Sequence, residues 1–328
     1  MRSLEFFSVW SLLVGVTLAV GLISCDTSES TVAEWNWGES IDFGRVPRWS
    51  PDGDRILFGD DREGSPGIYI WMPGETPQLL ADSLPSHNWD YHWSPDGSQI
   101  AFTSPGEPGS GAAGVWLVNA DGSSKEKIFD RGRDLSWFHD GFSVVVRVEY
   151  PENGTPGLYR IELESGATQF VTIGFKPVCS PIESLIAYTD SELNGRLSII
   201  DENFNATAVS DTGAYEYTWT VDGSALFCAV NNYTTGELNW DIVKISPSGA
   251  DWQREEVTRW ALYPAPDRTG GRVAFMRISN ASWRGLWMNT AGKGDERIAD
   301  YGQNPDFNPL HDRIAVNSTQ GGIRILQK

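Results

Sequence analysis

The stretch Arg48-Trp49-Ser50-Pro51-Asp52-Gly53 returns further along the chain as His92-Trp93-Ser94-Pro95-Asp96-Gly97. An aliphatic residue stands seven positions after each Trp, and a second apolar residue stands nine positions after it. Fainter copies continue this frame, so that the Trp position, here called the anchor, recurs every 40 to 47 residues. The seven anchors are Trp49, Trp93, Trp137, Cys179, Trp219, Pro266 and Phe307. Self-similarity at such a period is typical of repeat architectures.

Each unit is predicted to contain four short strands. Ser-Pro-Asp-Gly forms a tight turn, because Pro presets φ and Gly accepts a positive φ. One strand ends at the anchor and the next carries the apolar alternation. A third follows a glycine, as in Gly114-Val115-Trp116, and Asn119-Ala120-Asp121-Gly122 turns the chain into a fourth. Such units are propeller blades, so the sequence predicts an all-β, seven-bladed β-propeller with four antiparallel strands per blade.

The two ends of the repeat region are predicted to close the ring together. The seventh unit stops after its third strand, residues 322–326, and has no fourth. Residues 39–43 precede the first unit and read as a strand, so we expect them to complete the seventh blade. Closure of this kind removes exposed strand edges. The predicted propeller domain is 39–328.

The balance of charge and cysteine excludes several classes of partner and site. The 328 residues include 44 acids and 25 bases, a net charge of -19. Such a chain repels nucleic acid and an anionic membrane surface. With 3 Cys and 4 His, we expect no disulfide framework, no metal site and no cofactor. Cys179 and Cys228 hold repeat positions filled elsewhere by apolar residues, which favours buried thiols. A disulfide between adjacent blades is the alternative.

The N-terminus has the features of an export signal. Residues 6–23 are almost uninterrupted apolar sequence, with Arg2 before them and acids after them. Leu22-Ile23-Ser24-Cys25 resembles the lipobox of bacterial lipoproteins, which implies that Cys25 carries lipid. The predicted arrangement is a signal peptide at 1–24 and a tether at 25–38; an uncleaved N-terminal anchor is the alternative. Both place the rest of the chain outside the cytoplasm, in the bacterial cell envelope.

The repeat also carries a family resemblance. Trp-Ser-Pro-Asp-Gly-x-x-Ile-x-Phe, followed by a Gly-Ile-Tyr or Gly-Val-Trp strand, resembles the TolB-like (WD-like) β-propeller repeat over roughly 39–328. The resemblance implies an extracytoplasmic propeller that binds proteins or glycans.

The direction of the strands predicts where a ligand would bind. If the Ser-Pro-Asp-Gly turns lie on the lower face, the first strand of each blade enters from the upper face and lines the central channel. Residues three or four before the anchor then lie at the upper mouth. Aromatic residues mixed with charges are typical of a binding surface. The candidate ligand-binding residues are Trp89, Asp90, Asp134, Lys176, Tyr215, Glu216, Tyr263 and Asn304.

The sequence leaves two functions open. The leading prediction is a non-enzymatic binding or scaffold module for an extracytoplasmic protein, peptide or glycan. The alternative is a cell-surface enzyme that degrades polysaccharide as a lyase or hydrolase, because some lyases resemble this repeat family. Asp90, Asp134 and Glu216 include the carboxylates that an acid and base pair would need. No residue pattern names a substrate, so no catalytic residue is predicted.

Overall fold

The computed structural model describes residues 34–62, 66–82, 90–104, 113–149, 151, 154–232, 239–249, 251–277, 285–318 and 321–328. Residues Trp35–Lys328 cluster as one unit. The predicted signal peptide, Cys25 and most of the tether lie outside the described residues. Within the described ranges, no helix is long and apolar enough to span a membrane.

Strands in the described ranges form antiparallel sheets of the predicted kind. The strand β1 (Asn36–Ile41) precedes the blades. Blade 1 contains β2 (Arg45–Trp49), β3 (Ile56–Asp60), β4 (Gly67–Trp71) and β5 (Gln78–Asp82). Blade 2 contains β6 (Tyr91–Trp93), β7 (Gln99–Ser104), β8 (Gly114–Asn119) and β9 (Glu126–Phe129). Blade 3 contains β10 (Arg133–Trp137), β11 (Ser143–Val148), β12 (Gly157–Glu162) and β13 (Thr168–Thr172).

Blades 4 and 5 share one long strand. Blade 4 contains β14 (Gly174–Cys179), β15 (Ile186–Asp190), β16 (Arg196–Ile200) and the first part of β17 (Ala206–Trp219). The second part of β17 is the first strand of blade 5, with β18 (Leu226–Asn232), β19 (Asn239–Ser248) and β20 (Asp251–Arg259). The continuous strand joins the two blades into one seven-stranded sheet. Both blades therefore have the four strands that the repeat predicts, although no loop separates the last strand of blade 4 from the first strand of blade 5.

The last two blades complete the fold. Blade 6 contains β21 (Ala261–Pro266), β22 (Arg272–Arg277), β23 (Gly285–Thr290) and β24 (Gly294–Ala299). Blade 7 contains β25 (Gln303–Phe307), β26 (Arg313–Asn317) and β27 (Ile323–Gln327), with β1 as its fourth strand. The first strands of adjacent blades contact one another, which places them innermost. The all-β, seven-bladed propeller is confirmed.

Closure by an N-terminal strand is also confirmed, with a shift in its bounds. The strand β1 pairs antiparallel with β27, from Asn36 opposite Gln327 to Ile41 opposite Ile323. It begins at Asn36 rather than at the predicted Glu39. Phe43 follows the strand and packs on Phe58, with the ring centroids 5.6 Å apart. Phe43 therefore fills the space between β1 and blade 1 instead of extending the ladder.

The anchors pack between blades, as the repeat frame predicts. The indole nitrogens of three anchors donate to the backbone of the preceding blade: Trp93 to the carbonyl of Arg48 at 3.2 Å, Trp137 to that of His92 at 3.0 Å, and Trp219 to that of Val178 at 3.0 Å. Each such bond ties a first strand to its neighbour while the indole fills the apolar layer between sheets.

The cysteines behave as the hydrophobic interpretation predicts. Cys179 and Cys228 are both buried and not joined in a disulfide. Burial raises the pKa of the Cys179 thiol to about 12, so it stays protonated and unreactive.

Candidate functional site

Bulges at the upper end of the first strands shape the mouth of the channel. The ladder between first and second strands shifts register there in six of the blades, for example between Arg45 and Arg48 and between Phe175 and Val178. Bulges at barrel rims re-aim side chains. Five blades place the residue three before the anchor in the left-handed region: Val46, Asp134, Lys176, Tyr263 and Asn304, with φ from 45° to 55°.

Two tyrosines lock the bulge of the blade before them. The Tyr91 hydroxyl lies 2.9 Å from the carbonyl oxygen of Arg45 and 2.6 Å from that of Val46, and it accepts from the Gly59 N–H at 2.9 Å. Tyr217 holds the same relation to blade 4, where its hydroxyl bonds the Lys176 carbonyl oxygen. Both tyrosines stand two residues before an anchor. The strained backbone of the mouth is thus held by contacts from the next blade.

Side-chain oxygens also accept hydrogen bonds from the backbone of the next blade. Asp90 Oδ2 accepts from the Leu135 N–H at 2.5 Å, and Asn317 Oδ1 accepts from the Val46 N–H at 2.8 Å. The Asp134 carboxylate accepts from the backbone N–H of Lys176. Hydrogen bonds between neighbouring blades therefore hold the backbone of the mouth from blade 7 through blade 1 to blade 5 before any ligand arrives.

An aromatic patch lies where blades 4, 5 and 6 meet the mouth; it consists of Lys176, Tyr215, Glu216, Trp240 and Tyr263. The Tyr215 ring centroid is 5.4 Å from that of Trp240 and 6.4 Å from that of Tyr263. Lys176 Nζ lies 4.3 Å from the centroid of the Tyr215 ring. The same nitrogen donates to the Tyr215 carbonyl oxygen at 3.0 Å and to Glu216 Oε1 at 3.3 Å.

Part of the patch is open to solvent. The Tyr215 side chain is 40% exposed. Tyr263 is more enclosed: burial first, and the neighbouring Tyr215 and Glu216 second, raise the pKa of its hydroxyl to about 12. The Tyr263 hydroxyl therefore stays neutral over the physiological range. The rings of Tyr215 and Tyr263 both present faces that can pack on apolar or cationic groups.

A second group of charges lies on blades 2 and 3. Asp90 Oδ1 is 3.0 Å from His92 Nε2, and Asp134 Oδ2 is 3.5 Å from Arg147 Nη1. Arg147 also pairs with Glu149 at 3.0 Å. Burial first, and the charge of Asp90 second, raise the pKa of the Asp134 carboxyl, while Arg147 opposes the shift. The two aspartates thus interact electrostatically across the blade boundary.

The structure brings the sequence-predicted residues into two groups. Lys176, Tyr215, Glu216 and Tyr263 share the aromatic patch, and Asp90 and Asp134 share the charged group. Asn304 lies on the blade 7 bulge, and no contact described above joins it to either group. Trp89 lies outside the described residues.

Four residues of these groups were absent from the predicted set: Trp240, His92, Arg147 and Glu149. Trp240 stands in β19 opposite Asn231. Arg147 stands ten residues after its anchor, at the end of a second strand, where blade 7 has Asn317. Extending the repeat frame to this tenth position would have indicated both Arg147 and Asn317 as partners of the mouth.

The similarity of this chain to known proteins lies in its fold. No family model matches the chain, and no curated protein matches it. An oligogalacturonate lyase in complex with manganese superposes with a TM-score of 0.69 at 15% identity, over 89% of this chain and 96% of that one. The oligogalacturonate lyase of Vibrio parahaemolyticus gives 0.66 at 15% identity, over 89% and 91%.

The third structural neighbour bears on the repeat. TolB from Acinetobacter baumannii superposes with a TM-score of 0.52 at 16% identity, over 88% of this chain and 65% of that one. This chain has a TolB-like β-propeller fold. At such identities the likeness concerns the fold alone.

The manganese of the lyase complex prompts a test of the residues present here. In the described ranges, no three His, Cys, Asp or Glu side chains come together in a way that would hold a metal ion. The carboxylates at the mouth are instead bonded to backbone N–H groups, His92, Arg147 and Lys176. The described residues therefore do not fit a manganese site.

Proposed function

We propose that the chain is a non-enzymatic binding module that captures an extracytoplasmic protein or glycan at the upper mouth of the propeller. The observation that carries this proposal is the aromatic patch. Its rings are contiguous and partly exposed, with an ammonium and a carboxylate beside them, on a backbone fixed by neighbouring blades. Exposed aromatic clusters rimmed by polar groups mark interaction sites.

The state of the mouth carboxylates favours binding over catalysis. Asp90 accepts from Leu135 and His92, Asp134 from Lys176 and Arg147, and Glu216 from Lys176. A general base needs an oxygen directed at a substrate proton. These oxygens are directed at groups of the chain itself, which suits a rigid binding surface.

Mutation of the patch tests the proposal. Tyr215→Ala should weaken capture of an envelope partner at least tenfold, because truncating a central aromatic anchor typically costs about 2 kcal/mol or more. The measurement is a titrated pull-down from detergent-solubilised envelope. Phe142→Ala is the matched control, since Phe142 is 77% exposed and follows a lower turn. Equal capture by Tyr215→Ala and parent would contradict the proposal.

The proposal includes attachment to a membrane through lipid on Cys25, outside the cytoplasm. Support comes from the Leu-Ile-Ser-Cys sequence after the apolar run. Cys25→Ser should leave the precursor unprocessed and without lipid. Intact-mass spectrometry of the membrane fraction measures this, and an unmodified Cys25 still preceded by the apolar run would contradict it.

A polysaccharide-degrading enzyme is the second candidate function. It is favoured by the two oligogalacturonate lyases, which align over 91% or more of their own length. The raised pKa of Asp134 is a property that a general acid needs. Incubation with acidic and neutral polysaccharides tests this function. Product that disappears in Asp134→Asn would support the enzyme, and binding without turnover would support the module.

A further inference from the structure

Lys176 occupies the aromatic patch in the manner of a bound ligand. An ammonium group has three donor hydrogens. Lys176 Nζ directs itself at the Tyr215 carbonyl oxygen at 3.0 Å, at Glu216 Oε1 at 3.3 Å and at the face of the Tyr215 ring, 4.3 Å from its centroid. A carbonyl, a carboxylate and an aromatic face together form a receptor for one cation. The chain fills this receptor with its own side chain.

From this geometry we infer that the patch recognises the lysine side chain of a partner protein, and that Lys176 is an internal competitor which the partner displaces. The inference rests on the proposed function and deepens it, since it names the chemical group that the patch takes. It also favours a protein over a glycan as the partner.

The internal occupant can leave without disturbing the fold. Its backbone is fixed on both sides, because the Lys176 N–H donates to Asp134 and its carbonyl accepts from Tyr217. Its side chain is 35% exposed and that of Glu216 is 37% exposed. Ion pairs and cation–π contacts at such exposure are weak. A rotation of the Lys176 side chain would therefore open the receptor while the bulge stays in place.

The receptor is larger than its internal occupant requires. Trp240 and Tyr263 extend the aromatic surface beyond Tyr215, at centroid distances of 5.4 Å and 6.4 Å from its ring. Cages of several aromatic rings are the sites at which proteins take cationic ligands. The net charge of -19 adds long-range attraction for a cationic partner.

A lysine peptide tests the inference. The probe is acetyl-Gly-Lys-Gly-Lys-Gly-amide, with the glutamine analogue as its neutral counterpart, titrated by calorimetry at low ionic strength. Lys176→Met keeps the apolar stem and removes the competing charge. We expect it to raise the affinity for the lysine peptide roughly threefold to tenfold. The reason is that the peptide no longer has to displace one exposed ion pair and its cation–π contact.

A matched variant separates the receptor from general charge. Lys125 also lies near an acid and an aromatic ring, 3.4 Å from Asp82 and 5.8 Å from the Trp116 centroid. Lys125→Met makes the same change in net charge and should leave the affinity unchanged. Adding Tyr215→Ala or Glu216→Gln to Lys176→Met should remove the gain. Unfolding curves establish that each variant is folded.

These measurements distinguish failure of the lysine inference from failure of the proposed binding site. An unchanged or lower affinity in Lys176→Met, or an equal gain in Lys125→Met, would overturn the inference. A neutral oligosaccharide that depends on Tyr215 but ignores Lys176 would also overturn it while leaving the binding module intact. If Tyr215→Ala binds both the lysine peptide and the oligosaccharide as tightly as the parent, the inference and the proposed site are both wrong.

Discussion

Tyr91 shows at the scale of one residue how a blade fixes the mouth of its neighbour. Its buried hydroxyl bonds the Gly59 N–H and two carbonyls of blade 1. Tyr91→Phe would leave these buried groups without that partner, which typically costs about 1–3 kcal/mol. We expect the free energy of unfolding in urea to fall by this amount, with little change in the denaturant slope.

Tyr159→Phe is the control for that prediction. The Tyr159 hydroxyl donates to the Thr155 carbonyl in an exposed bond, where water can replace it. Its loss should be close to neutral. Similar losses in both variants would mean that the Tyr91 hydroxyl has no special part in holding the bulge.

Asp306 makes a pH-dependent contribution whose sign follows from its surroundings. Burial raises the pKa of its carboxyl above the usual 3.8, although Arg48 and the Trp49 N–H oppose the shift. A raised pKa means that ionisation costs stability in the folded state. The cost is absent below the usual pKa and grows as the pH rises through the raised value. The free energy of unfolding of Asp306→Asn, relative to that of the parent, should therefore rise as the pH increases from about 3 to about 7.

Asp96 should show the opposite trend. The Ser94 hydroxyl and then the Ser98 N–H lower the pKa of its carboxyl, so its contribution is present at neutral pH and is lost in acid. The free energy of unfolding of Asp96→Asn, relative to that of the parent, should fall as the pH rises over the same range. Urea unfolding at several pH values measures both variants, and parallel trends would contradict this assignment.

The strand β1 carries the closure at the scale of an element. It hydrogen-bonds along β27, and its Trp37 ring stacks on Tyr301 at 4.8 Å between centroids. Deleting residues 36–41 would expose the edge of β27 and the apolar faces beside it. We expect loss of the cooperative unfolding transition or marked aggregation. Deletion of residues 26–31, which lie outside the described part, is the matched control.

A melting curve and light scattering distinguish the outcomes. A cooperative transition that survives the deletion of 36–41 at its original midpoint would show that the ring is stabilised elsewhere. A collapse in both deletions would assign the effect to the shortened N-terminal segment and not to the strand.

The elements also show what could be predicted from the sequence. The repeat was readable because each Ser-Pro-Asp-Gly turn is a local signal, and the mouth positions followed from strand direction. The bulges carry no local signal, since Val46, Lys176 and Tyr263 are not typical left-handed residues. The bulges at Val46 and Lys176 are held instead by tyrosine hydroxyls 45 and 41 residues further along the chain. The start of β1 was misjudged because it lies outside the repeat frame, with no equivalent unit against which to align it.

The charge of the whole molecule leads to a prediction about salt. A net charge of -19 and a pI of about 4.5 mean that the folded chain repels itself at neutral pH. Ion pairs such as Lys176–Glu216 at 3.3 Å and Arg147–Glu149 at 3.0 Å act at short range, whereas most of the repulsion acts over longer distances. Charges interact over a Debye length of about 30 Å at 0.01 M salt but of only about 8 Å at 0.15 M. Salt should therefore remove more repulsion than attraction, and the thermal midpoint should rise as NaCl increases from 10 to 300 mM. A falling midpoint would mean that the short ion pairs, and not the net charge, dominate the electrostatics of the propeller.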